Sequence, residues 1–286
     1  MSIGIIRKLK IFLNLIKTFK YQRFMDTNNA DTSGFNLWYN KNIKKIFERG
    51  STNMKKRTKI IILAFLTVLV LLTGGFFVYV SDYSHAENIA MALAADPTQA
   101  TIQDDLVILD PTTPGDTGLI FYPGGKVQAE AYMPLLDRLR DNGITCILVK
   151  MPFNLAVFNK NGGEAGFAAR PQITHWFIGG HSLGGVMASS FAVDHPDQIQ
   201  GVVLLGAYVY GGWSPDKALT IYGSKDQVLD KTKIDYTTNV LVIKGGNHAG
   251  YGNYGKQKGD GTATISKSEQ QRITVEAILE FIGKEK

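Results

Sequence analysis

Seven short apolar segments, separated by stretches with helical character, constrain the fold of this chain more than any other feature. Several of them are apolar at every position rather than at alternate positions, which is typical of strands that helices cover on both faces. The alternation therefore predicts an α/β fold with a mostly parallel central sheet. The predicted strands are residues 106–109, 118–122, 145–149, 175–179, 202–205, 219–222 and 240–243.

Helical signals fill the stretches between these segments. Apolar residues at positions 132, 135, 136 and 139 would share one helix face, and Gly143 is suited to end that helix. The sequence Ser266-Lys267-Ser268-Glu269 is typical of a capping box at the start of a last helix. The single cysteine, Cys146, falls inside a predicted strand and is interpreted as a core residue.

The sharpest local motif is Gly180-His181-Ser182-Leu183-Gly184-Gly185. It follows a predicted strand and precedes a helix rich in small residues, so Ser182 would lie on a tight strand-to-helix turn. Glycine two residues before and two residues after the serine leaves room for the backbone to fold that tightly. The motif predicts that Ser182 is a nucleophile.

A serine hydroxyl is a weak nucleophile and needs a base, and five histidines are available. We predict that His248 is the base, because it directly follows the last predicted strand and so lies at the carboxyl edge of the sheet. Asp226 follows the strand before it and is the predicted orienting acid, with Asp230 and Asp235 as alternatives. The chain order Ser, Asp, His is the order expected for this arrangement.

An acyl-transfer site also needs donors for an oxyanion and a surface for the substrate. The amide of Leu183 is one predicted donor, and the amide of Gly125 or Lys126 in the glycine-rich loop after residue 122 is the other. Aromatic residues near this edge either line a substrate pocket or pack in the core. These candidates are Tyr122, Phe153, Tyr210, Trp213 and Tyr251.

The same motifs, taken in order, resemble a bacterial α/β-hydrolase family of the dienelactone-hydrolase-like, carboxylesterase-like kind. The resemblance covers residues 100–286 and rests on Phe121-Tyr122-Pro123-Gly124-Gly125, the serine motif, Tyr222-Gly223-Ser224-Lys225-Asp226, Gly246-Asn247-His248-Ala249 and the tail Tyr251–Gly261. It implies the α/β-hydrolase fold, a Ser-Asp-His triad, extracytoplasmic esterase-like activity and no metal or other cofactor. The chain differs from dienelactone hydrolases proper in having Ser182 where they use cysteine.

The expected function is therefore hydrolysis of a small acyl ester through an acyl-enzyme on Ser182. Thioesterase, lipase, peptidase and haloperoxidase-like activities would use the same residues, and the motifs do not separate them. A surface protein that keeps the fold only for binding is an alternative of another class. Retention of all three residue types of the triad favours the enzyme.

Positive charge is confined to the beginning of the chain. Residues 1–59 hold 14 Lys/Arg and three Asp/Glu, whereas residues 60–286 hold 17 Lys/Arg and 22 Asp/Glu. The folded part is thus slightly acidic, and no nucleic-acid partner is expected. The basic stretch directly precedes an apolar segment, where it is interpreted as a cytoplasmic tail that sets membrane topology.

Residues 60–80 contain no charged residue over 21 positions, enough to cross a bilayer as a helix. We interpret them as an uncleaved single-pass signal anchor in the cell membrane, followed by a stalk over residues 81–100 and an extracytoplasmic catalytic domain over residues 101–286. Secretion after cleavage near Ala86 is the alternative. The sequence after Met54 resembles a complete signal start, so residues 1–53 are assigned no function.

Overall fold

The computed structural model describes residues 56–285. The chain divides into two units, and the division falls between residues 74 and 75. Of the first unit, the structure describes residues 56–74, which lie in helix α1 (Lys56–Ser81). The predicted basic tail, residues 1–59, therefore falls outside the described residues except for its last four positions.

Helix α1 is 26 residues long and, within residues 56–285, is the one helix long and apolar enough to cross a membrane. Length and composition carry that assignment, and a membrane anchor and a signal sequence both satisfy it. The predicted apolar segment at residues 60–80 is thus a helix that ends at Ser81.

The second unit contains one sheet of eight strands in the order β1-β2-β4-β3-β5-β6-β7-β8. From β4 to β8 in this order, neighbouring strands are parallel. At the other edge, β1 pairs antiparallel with β2, and β2 pairs antiparallel with β4. The strands are β1 (Thr101–Gln103), β2 (Leu106–Leu109), β3 (Thr117–Tyr122), β4 (Thr145–Val149), β5 (His175–His181), β6 (Ile199–Leu205), β7 (Ala218–Gly223) and β8 (Val240–Ile243).

All seven predicted strands are present, so the predicted α/β fold with a mostly parallel sheet is confirmed. Strand β1 was not predicted, because its three residues are all exposed at the sheet edge and show no apolar pattern. Its backbone pairs with β2, with Ile102 opposite Val107. This pairing is a tertiary contact, and no local sequence pattern predicts it.

Helices cover both faces of the sheet, as the apolar strands require. One face packs against α2, α3 and α6, and its core includes Ala90, Leu135 and Ile278. The other face packs against α4 and α5, through residues such as Ala188 and Phe191. The helices are α2 (Asn88–Ala95), α3 (Met133–Asp141), α4 (Glu164–Ala169), α5 (Leu183–Asp194) and α6 (Lys267–Glu285).

Local signals account for where two of these helices begin and end. Leu135, Leu136 and Leu139 of α3 are fully buried, and Gly143 adopts a φ of +87° just beyond its end. At the start of α6, the Ser266 hydroxyl accepts a hydrogen bond from the amide of Glu269 at 3.1 Å. This is the serine half of the predicted capping box, while the Glu269 carboxylate pairs with Arg272 instead.

The interpretation of residues 81–100 as a stalk is wrong. Helix α2 packs on the sheet domain, with Ala90 fully buried and Ala94 nearly so. The amide of Ser84 donates to the carbonyl of Lys126 at 2.8 Å, and the carboxylate of Glu87 pairs with Lys267 at 2.7 Å. The alanines of α2 present a small, flat face, which sequence periodicity does not distinguish from an exposed linker.

Parallel strands bring all their carboxyl ends to one edge of the sheet, and the backbone hydrogen bonds continue beyond them. The amide of Ser182 donates to Leu205 at 2.9 Å, and the amide of Ser224 donates to Ile243 at 2.9 Å. The loops after β3, β5, β7 and β8 therefore meet along this edge.

Candidate active site

Ser182 lies on a turn between β5 and α5 whose backbone is strained. Its φ is 52° and its ψ is −122°, outside the regions that L-residues normally occupy. A Cβ atom on Gly180 would lie 2.5 Å from the carbonyl carbon of Gly184, and one on Gly184 would lie 2.3 Å from the carbonyl oxygen of Pro123. The two glycines of the motif are therefore required by close backbone contacts.

His248 and Asp226 form a buried pair. The Nδ1 atom of His248 lies 2.8 Å from Oδ2 of Asp226, and the two side chains are 1% and 0% exposed. An ionised carboxylate can only accept hydrogen bonds, so Nδ1 is protonated and donates a hydrogen bond to Asp226. In the neutral imidazole this leaves the lone pair on Nε2.

The carboxylate of Asp226 is held by backbone donors as well. Its Oδ1 atom accepts hydrogen bonds from the amides of Val228 and Leu229, both at 2.9 Å. Burial by itself raises the pKa of Asp226, but the hydrogen bond and charge of His248 and the two amides outweigh it and bring the pKa below its ordinary value. Asp226 is therefore ionised at neutral pH.

Two side chains that sequence reasoning did not single out hold the loop of His248. The amide of Asn247 donates to Oε1 of Gln270 at 3.0 Å, and the amide of Ala249 donates to Oδ2 of Asp260 at 2.9 Å. Asp260 lies in the tail that contributed to the family resemblance, but nothing local in the sequence marks Gln270. The backbone of His248 is thus held by hydrogen bonds at the residue before it and at the residue after it.

The His–Asp pair lies next to the serine turn. Gly206 follows Leu205, whose carbonyl accepts a hydrogen bond from the amide of Ser182. A Cβ atom on Gly206 would lie 2.9 Å from Nδ1 of His248. The ring of His181, the neighbour of Ser182, has its centroid 4.5 Å from that of His248. Nε2 of His248 is buried and makes no hydrogen bond within residues 56–285, so it is not bonded to the Ser182 hydroxyl in this conformation.

His181 belongs to a second buried hydrogen-bonded group. Its Nδ1 atom lies 2.7 Å from the hydroxyl of Tyr132, which accepts a hydrogen bond from the amide of Gly124 at 3.1 Å. Burial, with the neighbouring charge of His248, places the pKa of His181 well below its ordinary value, so this ring is neutral. A buried hydroxyl needs an acceptor, and we assign the Tyr132 proton to the bond with Nδ1.

The predicted oxyanion donors divide into two that are free and one that is not. The amides of Gly125 and Leu183 donate to no acceptor within residues 56–285. A Cβ atom on Gly125 would lie 3.0 Å from the Leu183 side chain, so the two residues are adjacent. The amide of Lys126 donates to the carbonyl of Asn154 at 2.7 Å, and Lys126 is therefore withdrawn as a candidate.

Three of the five predicted pocket residues belong to the core. Tyr122 and Tyr251 have no exposed surface, and their hydroxyls donate to the carbonyls of Lys160 and Ile221. Trp213 is 7% exposed, and its Nε1 donates to the carbonyl of Lys217. The prediction that these three line the pocket is wrong, because polar groups at their tips are bonded inside the fold.

The other two predicted pocket residues, Phe153 and Tyr210, are exposed on loops that follow β4 and β6. A cavity of about 300 Å³ lies behind the His248 loop, lined by residues that include Ala249, Lys256 and Gln270 but not Ser182. No cluster of three or more His, Cys, Asp or Glu residues suited to hold a metal occurs within residues 56–285.

The fold and this edge of the sheet define a hydrolase of the α/β class. A family model described as the alpha/beta hydrolase family matches residues 118–272, more than half of the chain. The chain therefore belongs to the α/β-hydrolase family, and the resemblance predicted from the motifs is confirmed. No curated protein matches the sequence.

Several solved structures are similar to this chain at low sequence identity. Est1E from Butyrivibrio proteoclasticus is 13% identical with a TM-score of 0.48, over 64% of this chain and 98% of its own. A predicted CIB-like hydrolase from Thermoplasma acidophilum is 17% identical with a TM-score of 0.45, over 64% and 98%. A membrane phospholipase A described as a bacterial virulence factor is 14% identical with a TM-score of 0.45, over 81% and 99%.

Proposed function

We propose that this protein is a membrane-anchored, extracytoplasmic serine hydrolase that cleaves carboxylic esters through an acyl-enzyme on Ser182. The observation that carries the proposal is the buried pair of His248 and Asp226, whose 2.8 Å hydrogen bond engages Nδ1 and leaves Nε2 as the acceptor of the neutral imidazole beside the strained turn of Ser182. An oriented imidazole next to a partly exposed serine is the arrangement that activates a hydroxyl.

In the proposed reaction, Nε2 of His248 takes the proton of Ser182 as Oγ attacks the ester carbonyl carbon. The bond from that carbon to the alcohol oxygen then breaks, and His248 returns the proton to the departing alcohol. Water attacks the acyl-enzyme next, gives one proton to His248, and the carboxylic acid leaves as Oγ regains a proton. In unliganded enzymes the bond from nucleophile to base is often long and tightens when substrate binds.

The free amides of Gly125 and Leu183 support this chemistry, since both lie where the glycine loop meets the start of α5. They would donate to the oxyanion of the tetrahedral intermediate. The positive end of the α5 dipole would favour the same negative charge. Loss of one such donor raises the barrier by about 2.7–4 kcal/mol in comparable sites.

The membrane part of the proposal rests on α1 and its flank. Lys56, Arg57 and Lys59 precede the apolar span, and positive residues stay on the cytoplasmic side. Such a topology places the sheet domain, which follows the span, outside the cytoplasm. At 21 uncharged residues the span is longer than the apolar core of a cleaved signal peptide, about 7–15 residues.

The test is fluorophosphonate labelling of the purified full-length protein, followed by a panel of p-nitrophenyl esters and matching thioesters. The wild type should be labelled and should hydrolyse esters, and Ser182→Ala should lose both properties without a change in circular dichroism. Ser190→Ala, in the same helix, is the matched control and should behave like the wild type. Absence of labelling in the wild type would favour the binding-protein alternative, and faster turnover of thioesters would favour a thioesterase.

A further inference from the structure

Large apolar side chains are exposed on the loop that follows β4. Phe153 is 44% exposed, and Val157 and Phe158 are both 51% exposed. We call residues 152–158 the aromatic loop. The loop contains no charged residue, and both Phe153 and Asn154 have φ values of 56°, a left-handed conformation that is strained for phenylalanine. Exposed apolar clusters of this kind mark a contact surface.

The aromatic loop packs against the last turns of α1, within the unit of residues 75–286. The ring of Phe76 lies 5.2 Å from that of Phe153 and 5.9 Å from that of Phe158, both close to perpendicular. Phe77 also lies near Phe153, with ring centroids 6.2 Å apart. Edge-to-face packing of this kind stabilises aromatic clusters.

These contacts determine the depth of the loop if α1 spans a bilayer. Phe76 precedes the last apolar residue, Val80, by four positions, or about 6 Å of helix rise. Side chains that touch Phe76 must lie at its depth, which is the boundary between headgroups and acyl chains. Tyr79 and Tyr83 flank this boundary, where tyrosine is enriched.

A charged group marks the water side of the same boundary. The ammonium of Lys126 lies 4.4 Å from the ring centroid of Tyr79 and 3.2 Å from the carboxylate of Asp82. Lysine at such a position keeps its charge in water while its stem lies along apolar surface. The apolar loop and the charged residues are thus arranged as at a membrane surface.

The aromatic loop is also connected to the candidate active site. The carbonyl of Asn154 accepts a hydrogen bond from the amide of Lys126, the residue after Gly125. A Cβ atom on Gly125 would lie 3.7 Å from Leu155 and 3.0 Å from Leu183. The exposed rings therefore lie one short backbone segment away from the candidate oxyanion donors.

We infer that the aromatic loop inserts into the interface of the bilayer that α1 spans, and that the substrate is an acyl ester of a lipid in that bilayer. The substrate part rests on the proposed function. A bilayer suits the loop better than a protein partner does, because the loop is uncharged and contacts the anchor helix itself. An acyl chain leaving the bilayer along Phe153 and Phe158 would move toward Gly125 and Leu183, the candidate oxyanion donors.

The depth of the loop can be measured without any enzyme activity. Full-length Phe158→Cys is labelled with a nitrobenzoxadiazole and reconstituted in vesicles of phosphatidylcholine and phosphatidylglycerol; the native Cys146 is buried and should not react. Lipids with a nitroxide near the headgroup end of the acyl chain should quench the probe. An Ile102→Cys label, on exposed strand β1, should not be quenched. Quenching equal to that at position 102 would overturn the inference.

The substrate class is tested with Val157→Ser/Phe158→Ser in the same vesicles. The double variant should hydrolyse a bilayer-embedded fluorogenic long-chain ester roughly tenfold more slowly, because two apolar side chains no longer enter the interface. Its turnover of water-soluble p-nitrophenyl acetate should equal that of the wild type, as should both activities of Ile102→Ser. Unchanged turnover of the lipid ester would overturn the substrate assignment.

The two failures are distinguishable. If the probe at position 158 is quenched but neither ester is hydrolysed in a Ser182-dependent way, the proposed function fails while the membrane surface stands. If p-nitrophenyl acetate is hydrolysed but the probe is not quenched, the hydrolase stands and the membrane surface fails.

Discussion

The backbone of Ser182, at φ 52° and ψ −122°, costs of the order of 1–3 kcal/mol relative to a relaxed residue. The surroundings hold this conformation, because the amide of Ser182 donates a hydrogen bond to the carbonyl of Leu205. In addition, Gly180 and Gly184 allow the backbone to approach so closely that a side chain at either position would clash. Ser182 is partly exposed at this position, between the buried strand β5 and helix α5. Residue 182 therefore depends on neighbours that are distant in sequence.

Asp226→Asn should slow ester turnover by roughly 10³–10⁴-fold. An amide can present its NH₂ group to Nδ1 of His248 and so favour the tautomer whose proton is on Nε2, which cannot accept the serine proton. The measurement is kcat for a p-nitrophenyl ester at neutral pH.

Asp230→Asn is the control for that substitution. Asp230 is exposed, and its carboxylate accepts from the amide and hydroxyl of Thr232 rather than from a histidine. Its turnover should stay within about twofold of the wild type, since surface substitutions of this kind change little. A large loss at position 230 with none at 226 would show that the acid is misassigned.

Tyr132→Phe should destabilise the domain by about 1–3 kcal/mol, because the Gly124 amide and Nδ1 of His181 would both lose a buried partner. Urea unfolding of the full-length protein in detergent measures the change. Tyr254→Phe is the control, since that hydroxyl bonds only the side chain of Gln257 and its loss should cost less. Equal free energies of unfolding for the two variants would contradict the importance of the Tyr132 group.

Among the elements, the strand–turn–helix unit of β5 and α5 packs closely against its neighbours. A Cβ atom on Gly184, the second residue of α5, would lie 2.3 Å from the carbonyl oxygens of Tyr122, the last residue of β3, and of Pro123. A Cβ atom on Gly185 would lie 2.6 Å from the Cβ of Ala207, two residues after β6. The helix can approach both neighbouring strand ends only because these two side chains are missing.

Gly184→Ala should lower both stability and ester turnover, because its Cβ would lie 2.3 Å from two backbone oxygens and the turn or the β3 loop must move. Thermal unfolding and turnover of a p-nitrophenyl ester measure the two effects. Gly283→Ala, in helix α6 with nothing within 4 Å, is the matched control and should raise stability by about 0.5–1 kcal/mol. A tolerated Gly184→Ala would refute the close-packed turn.

For the whole molecule, the apolar helix α1 and the hydrolase domain lead to one testable topology. The domain follows the span, and the residues that precede the span are basic. Protease added to intact cells should digest the domain while a cytoplasmic marker protein survives. Protection of the domain until the cells are lysed would reverse the proposed orientation.

Much of this architecture was predictable from the sequence, because continuous apolar runs and helix caps are local signals. The seven predicted strands, the serine turn and the placement of Asp226 and His248 after consecutive strands follow from such signals and from the geometry of parallel sheets. Strand β1 and the packing of α2 were missed, since exposed edge residues and alanine-rich helices carry little pattern. Lys126 was misjudged because its amide partner, Asn154, lies on another loop.

The sequence by itself determined the fold class, the order of the motifs and the chemical identity of the groups that meet at the sheet edge. Tertiary structure alone decided which amides stay free, that Gln270 and Asp260 hold the histidine loop, and that Tyr122, Trp213 and Tyr251 lie in the core. It also brought the aromatic loop against Phe76. These outcomes depend on contacts between residues far apart in the chain, whereas the periodicity of a sequence reports only on the side chains of one element.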